Sequence, residues 1–191
     1  GVYLRHLLFA LARIDRENAY CLFSASWKDR FPRSKIPPFS RLDFCDRRIP
    51  VKALNFFWHS WSWPRLDHFF GAKLDLTHSA TPLPLPTLGK KIVTVHDLFF
   101  MDFPEEAGQE AGKVFFRQTA ASLRRSDGII TFADFTKNAI LAKFDVAPSK
   151  IKVIRHGLDG QFFEDVSPGA LEEARVQHGL PSSFLLFVGA Q

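Results

Sequence analysis

Ile92-Val93-Thr94-Val95-His96-Asp97-Leu98 opens with four β-branched residues and ends in two ionisable ones. A run this apolar predicts a strand over Lys91–His96 buried on both faces, the mark of a parallel sheet covered by helices. The neighbouring segments repeat the theme. Gly128–Phe132 and Ile151–Ile154 are further short apolar strands, and Gly112–Arg125 and Phe135–Phe144 have helical spacing. Strands and helices alternate, which predicts a doubly wound parallel α/β sheet. A charged helix over Ala170–His178 and a last strand over Phe184–Val188 complete the C-terminal half.

The N-terminal half is less regular. Apolar residues at 4, 7, 8 and 11 predict an opening helix, and Tyr20–Ser24 reads as a short buried strand. Arg30–Pro50 is rich in proline and basic residues and reads as loop, with one strand near Leu42-Asp43-Phe44. Leu54, Phe57, Trp58 and Trp61 share helical spacing, which predicts a core face for Phe57, Trp58 and Trp61. Trp63 and its neighbours remain candidates for contact with lipid or sugar. Leu74–Ser79 is a strand entering the proline-rich loop Pro82–Pro86.

The 191 residues are 46% hydrophobic and 24% charged, which excludes disordered and fibrous classes. No apolar run approaches the ~18 residues of a membrane span, and no signal-peptide pattern opens the chain, so a cytoplasmic location is expected. Two cysteines, Cys21 and Cys45, are too few for a disulfide framework or a zinc site. The net charge of +5 is unevenly placed: residues 1–60 hold 11 Lys/Arg against 5 Asp/Glu. Such a face suits a solvated surface, a phosphorylated substrate or peripheral contact with anionic lipid, and no nucleic-acid partner is expected.

His96 and Asp97 are placed at the carboxyl end of a central strand, where open α/β sheets bind ligands. The imidazole can hydrogen-bond a substrate hydroxyl or phosphate, and the carboxylate can orient it or the adjoining loop. The same dipeptide occurs in metal-dependent HD-type phosphohydrolases, for which His59, His68 and His78 are candidate further ligands. That family carries its dipeptide on a helix, against the strand pattern here. Ala133–Asn138 reads as a helix start, where Asp134 or Thr136 can cap the orphan amides and the helix terminus can attract phosphate.

Taken together, Thr94–Phe100 with Phe103-Pro104-Glu105, Ile130–Lys137, Lys150–Ile154, Gly157-Leu158-Asp159 with Phe162, and Leu185–Gly189 come in an order that resembles a known family. They are similar to the N-terminal domain of retaining glycosyltransferases of family 4, which have the GT-B fold. Gly1–Leu8 and Asp75–Ser79 fit the same resemblance. It implies a Rossmann-like N-terminal half over residues 1–183, lacking its first strand, and the first strand of a C-terminal donor-binding domain over residues 184–191. The implied activity is transfer of a sugar from a nucleotide-sugar to a polysaccharide or lipid-linked acceptor, with retention and without an obligatory metal or other cofactor.

The resemblance places His96 beside the donor sugar, with Asp97 as its catalytic neighbour. It places Gly1, Tyr3, His78, Asp134, Thr136, Lys137 and Gly157 in the substrate site. Where the family's turn reads Ser-Glu-Phe-Thr, this chain has Ala133-Asp134-Phe135-Thr136, so a hydroxyl contact from the first position is lost. The family's donor-binding Arg, Lys and Glu residues belong to the C-terminal domain. A missing central strand would leave backbone and apolar faces unpaired, so the isolated chain is expected to be marginally stable and inactive. A non-catalytic binding module on the same fold is the other alternative.

Overall fold

The computed structural model describes residues 2–83, 85–102 and 109–187. The chain divides into two compact units, residues 1–155 and 156–191. The first unit is built on two parallel sheets. Strands β1 (Tyr20–Ala25) and β2 (Leu42–Arg47) pair in parallel from Tyr20↔Leu42 to Ala25↔Arg47. The second sheet has the order β3-β4-β5-β6, with β3 at Leu76–Ser79, β4 at Lys90–Thr94, β5 at Gly128–Thr131 and β6 at Ile151–Val153.

All pairings are parallel, in agreement with the Rossmann-like α/β class, but the strands form two sheets among the described residues where one was expected. Sequence patterns identify strands but not which edges pair. Of the strand expected over Phe184–Val188, residues 184–187 carry no strand assignment, and Leu185, Leu186 and Phe187 are largely exposed. Val188–Gln191 lie outside the described residues.

Helices cover the four-stranded sheet. Helix α5 (Gln109–Arg125) buries Leu123, and α6 (Asp134–Lys143) buries Ile140, in one cluster with Val93, Ile129 and Ile151. Both helices present apolar residues at helical spacing to strands whose own side chains are short and branched, so the layers interlock. Buried threonines punctuate this core, with Thr94 and Thr131 fully inaccessible.

Helix α1 (Val2–Ile14) opens the chain and buries Ala12, while Leu4, Leu7, Leu8 and Leu11 are half-buried. Helix α2 (Val51–Trp61) and the short α3 (Leu66–Phe70) build a second cluster from Leu54, Trp58 and Leu66, joined by Phe23 from β1 and Leu74 before β3. The Trp58 indole donates to the Pro64 carbonyl at 2.9 Å, which satisfies the ring's single polar atom inside the core.

The expected core face of α2 is corrected at two positions. Phe57 is 36% and Trp61 64% exposed, so of the three residues only Trp58 is buried. Leu54 and Trp58, four apart, define the inward stripe, and a helix ending at Trp61 leaves its flanking rings in solvent.

Gly89 is required by a close approach. A Cβ there would run into the carbonyl oxygens of Leu74 and Asp75 just before β4.

The second unit contains a single 3₁₀ turn at Gly160–Phe163 and helix α7 (Pro168–Gln177) among its described residues. The Ser167 hydroxyl caps α7 by accepting from the Ala170 amide at 3.3 Å, and Glu172 pairs with Arg175 one turn on.

Candidate functional site

Parallel strands end at one edge, and the β3, β4 and β5 ends together carry the candidate residues. Val95 extends the pairing beyond β4 by donating to the Ile130 carbonyl at 2.9 Å, so His96 is the first residue to emerge from the sheet. Val95 and Leu98 are buried while His96 and Asp97 are exposed, which anchors the dipeptide on both sides. The short helix α4 (Phe99–Asp102) follows.

His96 is held by its surroundings on three sides. Its Nε2 lies 3.1 Å from the Ala80 carbonyl at the end of β3. A carbonyl only accepts, so Nε2 is the donor and Nδ1 is the acceptor when the ring is neutral. The Phe132 ring lies 4.9 Å away, tilted by 47°, and the Tyr3 ring meets the imidazole edge-on at 5.4 Å. Tyr3 and Phe132 also touch, with centroids 4.9 Å apart. The register explains the meeting: Thr94 pairs with Ile130, so two residues on His96 falls level with Phe132. Tyr3 arrives from the first turn of α1.

Asp97 has a local task. Its Oδ1 accepts from the Phe99 amide at 3.1 Å, closing the turn that opens α4, so the carboxylate fixes the loop after His96. His78 lies within β3, and its Nε2 is 2.8 Å from Thr94 Oγ1 on the adjoining strand. Burial pushes its pKa below the ordinary histidine value. His78 is therefore tied into the sheet one strand from the His96 loop.

The capping role expected of Asp134 or Thr136 is corrected. Helix α6 is capped by Ala133, which makes no side-chain cap bond; Asp134 is already the first helical residue and Thr136 is buried inside the first turn. The helix begins one position too early for the Asp134 carboxylate to serve as cap and three too early for the Thr136 hydroxyl, and Asp134 is left exposed at the positive end of the helix dipole. Lys137 is half-buried in the same turn, which follows directly from Phe132.

Gly1 lies outside the described residues. Gly157 is exposed in the second unit, with nothing within 4 Å of a Cβ added there.

The structure thus brings His96 and Tyr3 together, joins them with Phe132 and Ala80, and sets Asp97 to hold the loop. Phe132 and the Ala80 carbonyl are not among the site residues expected from the sequence. An aromatic residue directly after the second apolar strand, matched in position to the histidine after the first, is the signal that identifies Phe132.

The phosphohydrolase alternative needs its dipeptide on a helix, whereas here it sits in the extended segment that leaves β4. Its further candidate ligands are scattered: His78 is tied to Thr94, and the His68 ring accepts from the Arg65 amide at 3.2 Å. His59 lies on α2, where the Arg125 guanidinium donates to its carbonyl at 3.1 Å. Among the described residues no three His, Cys, Asp or Glu side chains are grouped to hold a metal ion.

No curated protein matches the chain. The sequence model described as Glycosyltransferase Family 4 matches residues 1–162, which span both sheets and the whole strand-end cluster. The chain belongs to glycosyltransferase family 4.

Proposed function

We propose that this domain serves the acceptor side of a retaining transfer from a nucleotide-sugar to a glycan or lipid-linked acceptor, with His96 beside the reacting sugar. The observation that carries the reading is the His96–Tyr3–Phe132 cluster at the carboxyl edge of a parallel sheet. A sugar offers hydroxyl groups around its rim and apolar C–H faces. An imidazole held between two aromatic rings can meet both, the nitrogen through hydrogen bonding and the rings through C–H contact.

In the proposed reaction the bond from the anomeric carbon to the diphosphate breaks, and a bond to the acceptor oxygen forms on the same face. The acceptor's hydroxyl proton leaves with the departing phosphate. His96 orients the sugar by hydrogen bonding at a hydroxyl. Asp97 keeps the loop in place through the Phe99 amide, and Tyr3 and Phe132 restrict the imidazole to one orientation. Asp134, Thr136 and Lys137 stand at the start of α6, where backbone amides and the Lys137 ammonium favour an anionic group. No metal ion or other cofactor is needed for these roles.

We place the reaction at the cytoplasmic face of a membrane, where lipid-linked acceptors are presented. No described helix is long and apolar enough to cross a bilayer.

The test is sugar transfer by the intact protein with His96→Ala and His96→Gln. A loss of kcat of about 100-fold or more in both variants, with the fold retained, is the expected result. Unchanged transfer in both removes His96 from the site. Ligand binding without turnover in the parent protein favours the binding-module alternative.

A further inference from the structure

The rings that α2 leaves in solvent form a cluster. Phe56 and Phe57 lie 5.8 Å apart, and the Trp61 ring is 5.7 Å from the first and 5.3 Å from the second. Phe56 is 58% and Trp61 64% exposed, and Trp63 just beyond the helix is 58% exposed. Leu54 and Trp58 hold the opposite side of α2 in the core, so the cluster stands on a fixed helix rather than on a loop. Scattered apolar side chains on a surface need no explanation, but four aromatic rings on one short segment do.

Charge selects the occupant. From Arg47 to Leu66 the sequence contains Arg47, Arg48, Lys52 and Arg65 and no acidic residue, although the chain as a whole has 20 Asp and Glu in 191. The two nearest acids in sequence are both engaged: Asp46 pairs with Arg30 at 2.8 Å, and Asp67 accepts from the Leu74 and Leu88 amides. Arg47 and Arg48 precede α2 and Lys52 lies in its first turn, all exposed, with Lys52 one turn from Phe56.

Aromatic rings beside an all-basic rim match an anionic bilayer interface. Indole and phenyl rings settle at headgroup depth, and the basic residues meet the lipid phosphates. We infer that Phe56, Phe57, Trp61 and Trp63, rimmed by Arg48 and Lys52, dock this protein onto an anionic lipid surface. This deepens the proposed membrane-side acceptor, yet it is read without any sugar transfer.

The test is co-sedimentation of the intact protein with vesicles of phosphatidylcholine, alone or mixed with phosphatidylglycerol. Binding is followed also by the blue shift of tryptophan emission. Wild type is expected to bind the mixed vesicles and not the neutral ones. The Phe57→Ser/Trp61→Ser variant should lose about tenfold in binding. Removing the charge of Arg48 or Lys52 with glutamine should cost about fivefold each and weaken the salt dependence. An unchanged thermal melt establishes that these surface variants fold.

Three results overturn the inference. The first is no binding to anionic vesicles, or binding that the aromatic variant leaves intact. The second is a parent protein that self-associates in sedimentation while the variant does not, which makes the cluster an interface between copies. The third is an emission shift induced by neutral oligosaccharide in place of lipid. Vesicle binding without sugar transfer would refute the proposed activity and leave the docking surface standing.

Discussion

His78 lies in β3 and His96 just beyond the adjacent strand β4, and the two differ in environment. His96 is exposed at the sheet edge, whereas His78 is half-buried beside Thr94. Burial lowers the pKa of His78, so the folded protein resists protonating it while the unfolded chain does not. The contribution is therefore fully present above the ordinary value of 6.5 and is lost as pH falls from there through the lowered folded value. His59 follows the same sign, lowered by burial and then by the Arg125 charge. His78→Gln should flatten the decline in melting temperature between neutral pH and about pH 5, a change read directly from melts across that range. An unaltered acid slope in the variant would show that His78 is not the group responsible.

Histidine at the strand end is legible from sequence because the apolar run Ile92–Val95 marks where the strand must emerge. Its partners are not, since Tyr3 and Phe132 reach it through the register of separate strands and the placement of a distant helix.

Helices and strands follow from their own residues more faithfully than their pairings do. The expected α5, β5, α6 and β6 appear with ends moved by a few residues. The break into two sheets and the outward turn of Phe57 and Trp61 depend on which neighbour covers each edge and face, information that periodicity does not contain. Ile140 is fully buried where α6 crosses the sheet, and Ile140→Ala should cost about 3 kcal/mol, visible as a melting temperature lower by roughly 5–10 °C.

Two glycines give a sharper contrast. A Cβ at Gly89 meets the carbonyl oxygens of Leu74 and Asp75, so Gly89→Ala should destabilise the start of β4 by about 1–3 kcal/mol. At Gly157 nothing is within 4 Å, and Gly157→Ala should leave the melt unchanged. Lost sugar transfer in an otherwise stable Gly157→Ala protein would place that residue at the substrate. Equal stability of the two variants would contradict the packing described for Gly89.

Across the first unit, acid sensitivity should come in two windows. The first is set by the half-buried histidines His78 and His59 below pH 6.5. The second belongs to carboxylates that the fold keeps ionised. Burial pushes Asp67 up, but amide bonds from Leu74 and Leu88 and the Thr87 hydroxyl together hold it below the ordinary 3.8. Asp127 is lowered chiefly by the Lys91 amide, with the Lys90 and Lys91 ammonium groups assisting. Both contribute stability above pH 3.8 that disappears as pH falls through their folded values, so denaturation should accelerate below about pH 4.

The N-terminal surplus of basic residues acquires a location in the fold, because its all-basic stretch coincides with the exposed rings of α2. The family is shown over residues 1–162, and the chemical centre we propose for it is the strand-end cluster. Sugar transfer from a radiolabelled nucleotide-sugar, measured for the intact protein and for His96→Ala at matched stability, tests this centre most directly. The account predicts product from the parent protein and a loss of about 100-fold or more in kcat for the variant. Equal transfer by both proteins would contradict it.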